Sequence, residues 1–280
     1  MVIYSHSRLS TFEQCPLKFK FRYIDKIEPD IKQTIEGFLG NRVHDVLEWI
    51  YSSENKERIL DLDEVIHYYI NNWREHFSPE IKITRSEYDF DYYYDLGIKF
   101  LINYFMKHSP FQDNTIATEK KIVVKLDEQG EYLLQGYIDR LVYNEEEGIF
   151  EIHDYKTSNF LKSQEELDKD RQLALYSIAI REDFPQARDV HLIWHFLAFN
   201  QKMTSKRSLG QLESLKQEII NLIKKIESAT DFHPNPSLLC KWCEFRSNCY
   251  LFNGSNENNV DNESNVDNES NTNHIEQRSD

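Results

Sequence analysis

The sequence has few residues that interrupt regular structure and no run that would cross a membrane. Among its 280 residues are only 8 Gly and 7 Pro, which excludes a fibrous or low-complexity protein. Because no run of about 18 apolar residues occurs, we expect no transmembrane helix. The opening residues lack the basic segment and long apolar run of a signal peptide. We therefore expect a cytoplasmic protein with no membrane partner.

Basic residues are scarce relative to acidic ones. The chain has 33 Lys and Arg against 48 Asp and Glu, a net charge of −15. This balance argues against a protein that coats nucleic acid non-specifically, although it permits a local basic groove. It also suits a chain that collects carboxylates around a divalent metal. No Gly-x4-Gly-Lys-[Ser/Thr] sequence occurs, so the chain has no P-loop and any helicase activity must come from a partner.

Cysteine occurs only four times, and its placement is uneven. Cys15 lies in FEQCPLKF, whereas Cys240, Cys243 and Cys249 lie within LLCKWCEFRSNCY. In a reducing compartment such clustering indicates metal binding more than disulfides. The irregular spacing leaves zinc and an iron–sulfur cluster as the alternatives. Pro16 follows Cys15, as proline often follows a cluster cysteine.

The first third of the chain predicts helices. Two short helices open it, and Pro16 suits the first turn of the second. Ser10 and Glu13 have the spacing of a capping box, with Ser7 as an alternative cap for the first helix. Apolar residues at helical spacing predict three amphipathic helices, in 37–53, 61–77 and 88–108.

After residue 114 the pattern changes to short runs rich in Ile, Val and Tyr, which predict strands. Strands are predicted in 115–126, 132–143, 149–157 and 189–199, and helices in 163–182 and 209–229. This order predicts an α/β fold, in which helices flank a central mixed β-sheet and accompany an N-terminal helical region and a C-terminal cysteine segment. The polar, Asn-rich residues 253–280 are predicted to be disordered, so that the fold ends near Phe252.

Two predicted strands, containing GYIDR and HDYKT, flank the turn NEEEG. If the turn is centred between Glu146 and Glu147, Asp139 and Asp154 face each other with Cβ atoms about 5 Å apart. Bare carboxylates that close repel, and a divalent cation such as Mg²⁺ or Mn²⁺ removes the conflict. Lys156 leaves the same face as Asp154, where it could stabilise charge on a phosphate. The alternative is a surface hairpin whose Asp–Lys ion pair contributes about 0–1 kcal/mol.

The order GYIDR, EIHDYKT and QLALY resembles the motif series of the PD-(D/E)xK nuclease superfamily, in its RecB-like branch. The resemblance implies a restriction-endonuclease-like core. It implies that Asp139 and Asp154 bind a divalent metal and that the backbone carbonyl of Tyr155 is a further ligand. It also implies that Lys156 is catalytic.

Two helical motifs extend the resemblance. GNRVHDVLEW matches the Gly-x3-His of an early helix, which implies that His44, one turn after Gly40, reaches the metal. A packed side chain is the alternative for this histidine. Gln172 and Tyr176 match a Gln-x3-Tyr helix, which implies that they position the catalytic lysine or contact a DNA phosphate. A pair on the helix surface is the alternative for them.

Other polar residues are less specific. Some members of the branch carry an acidic residue near the position of Glu119, which is equally compatible with an exposed strand residue. His153, His191 and His195 alternate with apolar residues, and we interpret them as structural. Basic residues near the N-terminus either track the phosphates of a DNA strand or lie on a solvated helix face; they are Arg8, Lys18, Lys20, Arg22 and Lys26.

The cysteines resemble those of one RecB-like group, which includes AddB-type helicase–nuclease subunits and CRISPR-associated adaptation exonucleases. The group has one cysteine before the His motif and three near the C-terminus, holding a 4Fe–4S cluster, and SRLSTFEQCPLKFKFRY resembles its opening signature. The resemblance implies that the cluster is bound by Cys15, Cys240, Cys243 and Cys249. It also implies one nuclease domain over 1–252, with a helical insertion over 53–113.

We therefore expect a Mg²⁺- or Mn²⁺-dependent deoxyribonuclease that binds DNA. The resemblance favours an exonuclease on single-stranded or end-bearing DNA in repair, recombination or CRISPR adaptation, with a helicase or adaptation proteins as partners. The alternative is a non-catalytic DNA-binding or scaffolding subunit. The complete set of His44, Asp139, Asp154 and Lys156 argues against that alternative, because loss of activity would affect those positions first.

Overall fold

A computed structural model of the chain describes residues 2–85 and 87–252, and the predicted disordered tail lies outside them. The described residues form six strands and eight α-helices. The strands are β1 (Ile3–Ser5), β2 (Thr115–Lys125), β3 (Leu133–Asn144), β4 (Ile149–Lys156), β5 (Asp189–Phe196) and β6 (Gln201–Lys206). The helices are α1 (His6–Gln14), α2 (Pro16–Phe19), α3 (Ile35–Ile50), α4 (Leu62–His76), α5 (Phe90–His108), α6 (Gln164–Asp168), α7 (Gln172–Asp183) and α8 (Leu209–Glu227). None of the described helices is long and apolar enough to cross a bilayer.

The six strands form one mixed sheet with β3 near its centre. The strand β3 pairs antiparallel with β2 on one side and, on the other, antiparallel with β4 and parallel with β1. Beyond β4 the sheet continues with β5, which is parallel to β4, and β6, which is antiparallel to β5. The predicted α/β class with a mixed sheet flanked by helices is therefore confirmed, and it is that of a restriction-endonuclease-like core.

Two hydrophobic clusters pack against the sheet. One joins the strands to α1, α7 and α8, and the other joins α3, α4 and α5. Along β4, Phe150 and Ile152 belong to the first cluster and Tyr155 to the second, as expected for side chains that alternate between the faces of a strand. Both faces of β4 are therefore covered, and Asp154 lies on the face packed by α7.

The start of the chain differs from the prediction. Residues 3–5 form a short strand, and the chain leaves the sheet at Ser5, whose hydroxyl accepts a hydrogen bond from the Arg8 N–H and caps α1. The predicted capping box is wrong, because Ser10 lies inside α1. Pro16 does open the second helix, as predicted, and that helix continues into one π-helical turn over Lys20–Ile24.

Two later elements also differ. The helix predicted over 163–182 is two helices, α6 and α7. Between them the Arg207 guanidinium donates hydrogen bonds to the carbonyl oxygens of Leu167 and Asp170, at 2.6 and 2.9 Å, in place of helical hydrogen bonds. The strand β6 was not predicted. Its sequence QKMTSK is largely polar, as is common at the edge of a sheet, and lacks the apolar alternation of the other strands.

Candidate active site

The hairpin of β3 and β4 brings two carboxylates together. Its antiparallel ladder pairs Arg140 with His153. The same register, continued one residue beyond the end of the ladder, places Asp139 opposite Asp154, as predicted from the turn sequence. The Tyr155 N–H donates to Asp139 Oδ2 at 2.8 Å and fixes that carboxylate against the neighbouring strand.

The electrostatics of this pair favour a cation. Burial and the charge of Asp154 together raise the pKa of Asp139 from 3.8 to about 7. Without a cation, the Asp139 carboxyl therefore retains a proton up to near-neutral pH. A divalent cation would replace that proton and neutralise both groups, and their hard oxygen donors suit Mg²⁺ or Mn²⁺.

The helix α3 brings His44 to the carboxylates. The imidazole Nδ1 lies 3.5 Å from Asp139 Oδ2, and Nε2 lies 2.9 Å from the carbonyl oxygen of Tyr155. Adjacent ligands of an octahedral cation with bond lengths of about 2.1 Å are about 3 Å apart, so the nitrogen and the carbonyl oxygen fit two adjacent ligands. Gly40 permits the close approach of α3, since a Cβ there would lie 3.3 Å from Thr157 Oγ1.

Glu119 joins this group from β2. One ligand atom each from His44, Glu119 and Asp139 lie within 4.8 Å of one another. Although it lies inside a strand, Glu119 has a φ of 45°, in the left-handed region. A non-glycine residue there costs about 1–3 kcal/mol and persists only where its surroundings enforce it. The sequence left the role of Glu119 open, because this backbone conformation has no sequence signature.

Lys156 forms the second half of the site. Its Nζ lies 2.9 and 2.7 Å from the two carboxylate oxygens of Asp154 and 3.3 Å from Gln172 Oε1. Burial alone would lower the pKa of the ammonium group, but the carboxylates of Asp154 and Asp139 outweigh it, and the pKa is raised. Lys156 is therefore a fixed positive charge at neutral pH, suited to stabilising negative charge on a phosphate.

Gly136 sets the position of α7 relative to the hairpin. A Cβ at Gly136 would lie 2.3 Å from a ring carbon of Tyr176, so only glycine allows this ring to pack against β3. Tyr176 lies one helical turn after Gln172, and its packing fixes the turn from which Gln172 reaches Lys156. The Gly of GYID and the Gln-x3-Tyr motif are therefore physically linked.

His6 lies near the same site, although no sequence pattern indicated a role for it. Burial lowers its pKa to about 4, and the positive charges of Arg171 and Lys156 add to this effect. The ring is therefore neutral at physiological pH, and its Nε2 lies 3.4 Å from the Ser10 hydroxyl. Its proximity to Lys156 arises only when α1 packs across the sheet.

His153, His191 and His195 were predicted to be structural, and their contacts agree with that interpretation. His153 and His195 are buried, and His153 Nδ1 lies 2.8 Å from both Arg140 Nη2 and His195 Nε2. Burial and the adjacent Arg140 guanidinium lower the pKa of His153, so its ring stays neutral. His191 lies 3.7 Å from Asp189 at the far end of β5.

All four cysteines line one cavity, although they are far apart in the sequence. Cys15, Cys240, Cys243 and Cys249 share it, and its volume is about 30 Å³. All four are free thiols. In a tetrahedral zinc site with Zn–S bonds of about 2.3 Å, the sulfurs would lie about 3.8 Å apart. No three of these sulfurs lie within 4.8 Å of one another.

Basic residues near the N-terminus pair mainly with the protein itself. Lys18 and Arg22 both form ion pairs with Glu244, which lies between the second and third cysteines of the C-terminal segment. Lys20 pairs with Asp25, and the Arg8 guanidinium lies over three aromatic rings. The two ion pairs with Glu244 join the N-terminal segment to the C-terminal one, and the interpretation of these basic residues as a DNA track stays a prediction.

The family of the chain follows from a comparison of its whole length. A family model described as the PD-(D/E)XK nuclease superfamily matches residues 3–250. The chain belongs to the PD-(D/E)XK nuclease superfamily. This membership identifies a metal-dependent nuclease with DNA as its substrate, and the carboxylates, histidine and lysine described above lie within the matched range.

Solved structures give a weaker likeness. A crystal structure described as that of a candidate exonuclease from Eubacterium rectale has 11% identity, covering 96% of this nuclease and 91% of that chain, with a TM-score of 0.49. The crystal structure of SSO0001 has 14% identity, covering 76% of this nuclease and 94% of that chain, with a TM-score of 0.37. Since both scores lie below 0.5, these structures carry no functional argument. A search of curated proteins found no significant match.

Proposed function

We propose that this nuclease is a Mg²⁺- or Mn²⁺-dependent DNA exonuclease of the RecB-like branch, acting on single-stranded or end-bearing DNA. The observation that carries the proposal is the 2.7 Å ion pair of Lys156 with Asp154, set beside a group of metal-ligand atoms. A charged lysine next to a carboxylate-rich cation site is the arrangement that phosphodiester hydrolysis requires.

The chain offers a consistent ligand set for one divalent cation. His44, Asp139, Asp154 and the Tyr155 carbonyl oxygen would hold it, and Glu119 is close enough to bind it directly or through water. When bound, the cation supplies Lewis acidity at the scissile phosphate and lowers the pKa of a coordinated water. The left-handed backbone at Glu119 supports its inclusion, because such strain is retained where a function needs it.

The remaining residues orient the reaction. The Asp154 carboxylate holds the Lys156 ammonium group, which would stabilise negative charge as it develops on the phosphate oxygens. Gln172 accepts a hydrogen bond from the same ammonium group and limits its rotation. Tyr176 acts through packing against Gly136, which makes it a positioning residue for Gln172.

A 4Fe–4S cluster is the second proposed cofactor, held by Cys15, Cys240, Cys243 and Cys249. The cavity that all four cysteines line supports this proposal. The cluster would tie the N-terminus to the C-terminal segment, a constraint worth roughly 5 kcal/mol by loop entropy. Visible absorption, a brown colour and iron in the purified protein would support the cluster; a colourless protein with stoichiometric zinc would refute it.

The biological setting is proposed from the same resemblance. One nuclease domain over residues 1–252, with a helical insertion over 53–113, would act in repair, recombination or CRISPR adaptation. A helicase or adaptation proteins would be its partners, since the chain has no P-loop of its own.

Linear and circular single strands test the exonuclease proposal. We expect Mn²⁺-dependent release of nucleotides from an end-labelled linear strand and no cutting of a covalently closed circle of the same sequence. Chelation with EDTA is the control and should stop the reaction. Equal cutting of both substrates would identify an endonuclease. Binding without cutting of either would favour the non-catalytic subunit.

A further inference from the structure

A cleft of about 330 Å³ opens beside the proposed catalytic residues, and nothing in the mechanism above uses it. One wall is the first turn of α3, and the opposite wall is the start of α5 with the segment before it. The loop that directly follows Lys156 borders both. The residues that line the cleft include Glu36, Arg85, Tyr88, Tyr92, Tyr93 and Thr157.

Stacked aromatic rings form one side of this cleft. The rings of Tyr88 and Tyr92 lie almost parallel, with centroids 4.1 Å apart and 12° between their planes. Tyr93 meets both of them edge-on. Tyr92 is 36% exposed, so part of the stack remains open to solvent. An accessible aromatic stack presents a flat π-surface, which is the surface on which an unpaired nucleobase packs.

The stack is held at a fixed position relative to the catalytic site. Tyr93 is buried, and its hydroxyl donates to Glu36 Oε1 at 2.8 Å. The same oxygen lies 3.4 Å from Thr84 Oγ1. Glu36 lies on α3, eight residues before His44, which corresponds to about 12 Å along the helix axis. The cleft and the proposed metal site are therefore carried by one helix.

Charge in the cleft suits a nucleotide. Arg85 is exposed and makes no ion pair with any other residue in 2–85 or 87–252. Arg85 lines the same cleft as Tyr88, Tyr92 and Tyr93. A planar guanidinium binds phosphate through two parallel hydrogen bonds and also stacks on bases.

We propose that this cleft binds a nucleobase of the single-stranded substrate, stacked on Tyr88 and Tyr92, with a neighbouring phosphate on Arg85. The inference rests on the proposed function and adds a second contact with the strand, next to the loop that follows Lys156. Because every base has a π-face, the contact tolerates any sequence. Paired bases inside a duplex cannot reach the stack, so the cleft selects single strands.

The test compares two substrates in Mn²⁺. One is a single-stranded oligonucleotide, and the other is a small chromogenic phosphodiester that carries no nucleobase. Loss of one base–aromatic stack should raise KM for the oligonucleotide about 5-fold to 150-fold in Tyr92→Leu. We expect little change in kcat/KM for the diester. Tyr92→Phe, which keeps the ring, should behave as wild type.

A matched control comes from a second aromatic stack outside the cleft. Tyr68 stacks on Trp49 with centroids 4.4 Å apart, and Tyr68→Leu should leave both KM values unchanged. Arg85→Gln, an exposed position that folding tolerates, should raise KM for the oligonucleotide and flatten its salt dependence. If wild type cuts the oligonucleotide but Tyr92→Leu and Arg85→Gln keep its KM, the cleft assignment is overturned and the nuclease proposal stands. If wild type neither binds nor cuts single strands, both proposals fail.

Discussion

The substitution Asp139→Asn tests the electrostatics of the site without any substrate. Burial and Asp154 raise the pKa of Asp139 from 3.8 to about 7. In the unfolded chain the carboxyl ionises near its ordinary pKa. Between about pH 4 and 7 the folded protein therefore keeps a proton on Asp139 that the unfolded chain has lost. The metal-free protein therefore loses stability as pH rises through this window. At about 1.36 kcal/mol per pKa unit, the full shift corresponds to about 4 kcal/mol above pH 7.

Asparagine removes this penalty, because it carries no charge and still accepts the hydrogen bond from the Tyr155 N–H. In EDTA at pH 8, Asp139→Asn should unfold at higher temperature than wild type, with a gain of about 1–4 kcal/mol once relaxation of the site is allowed for. At pH 4 the two proteins should be equally stable. Adding Mn²⁺ at pH 8 should raise the melting temperature of wild type far more than that of Asp139→Asn.

Thermal unfolding followed by circular dichroism, with and without metal at both pH values, measures these differences. Asp95→Asn is the control, since Asp95 is exposed on α5, and its stability should change by less than about 0.5 kcal/mol. The reasoning would be refuted if Asp139→Asn were less stable than wild type in EDTA at pH 8. It would also fail if any gain were independent of pH.

Three further predictions concern packing, the lysine and the cysteines. Gly136→Ala should destabilise the protein by about 1–3 kcal/mol and slow cleavage, because its Cβ would meet the Tyr176 ring. Gly210→Ala is the control and should not change the thermal unfolding, because no atom lies within 4 Å of the added Cβ. Lys156→Met should lower kcat about 10²–10³-fold while Mn²⁺ still raises the melting temperature, and a variant that cuts normally would remove the lysine from the mechanism. Cys243→Ser should lose bound iron and up to about 5 kcal/mol of stability; unchanged metal content and melting would contradict the cluster.

Much of the fold was predictable because its signals are local. The change from helical spacing to short β-branched runs after residue 114 predicted β2 to β5, and the turn NEEEG predicted the register of the hairpin. The missed strands lack such a signal: β1 has three residues, and β6 is a polar edge strand. The break between α6 and α7 depends on Arg207, 36 residues after Arg171, which no local pattern could reveal.

The residues of the candidate site also divide into those that a local pattern predicted and those that it did not. Asp139, Asp154 and Lys156 occupy one hairpin, so spacing alone brought them together. The nearness of Glu119 to His44 depends on a left-handed residue inside β2. Contacts made across the chain were likewise not predictable, as in the ion pairs of Glu244 with Lys18 and Arg22.

The hairpin carboxylates and lysine are proposed to catalyse metal-dependent cleavage of DNA. The most direct measurement is the single-turnover rate at which an end-labelled single strand is cut in Mn²⁺ by wild type and by Asp154→Ala. Asp154 both faces the metal ligands and holds Lys156, so its removal should abolish cutting, while strand binding persists. A rate in Asp154→Ala equal to that of wild type would contradict the assignment of the site.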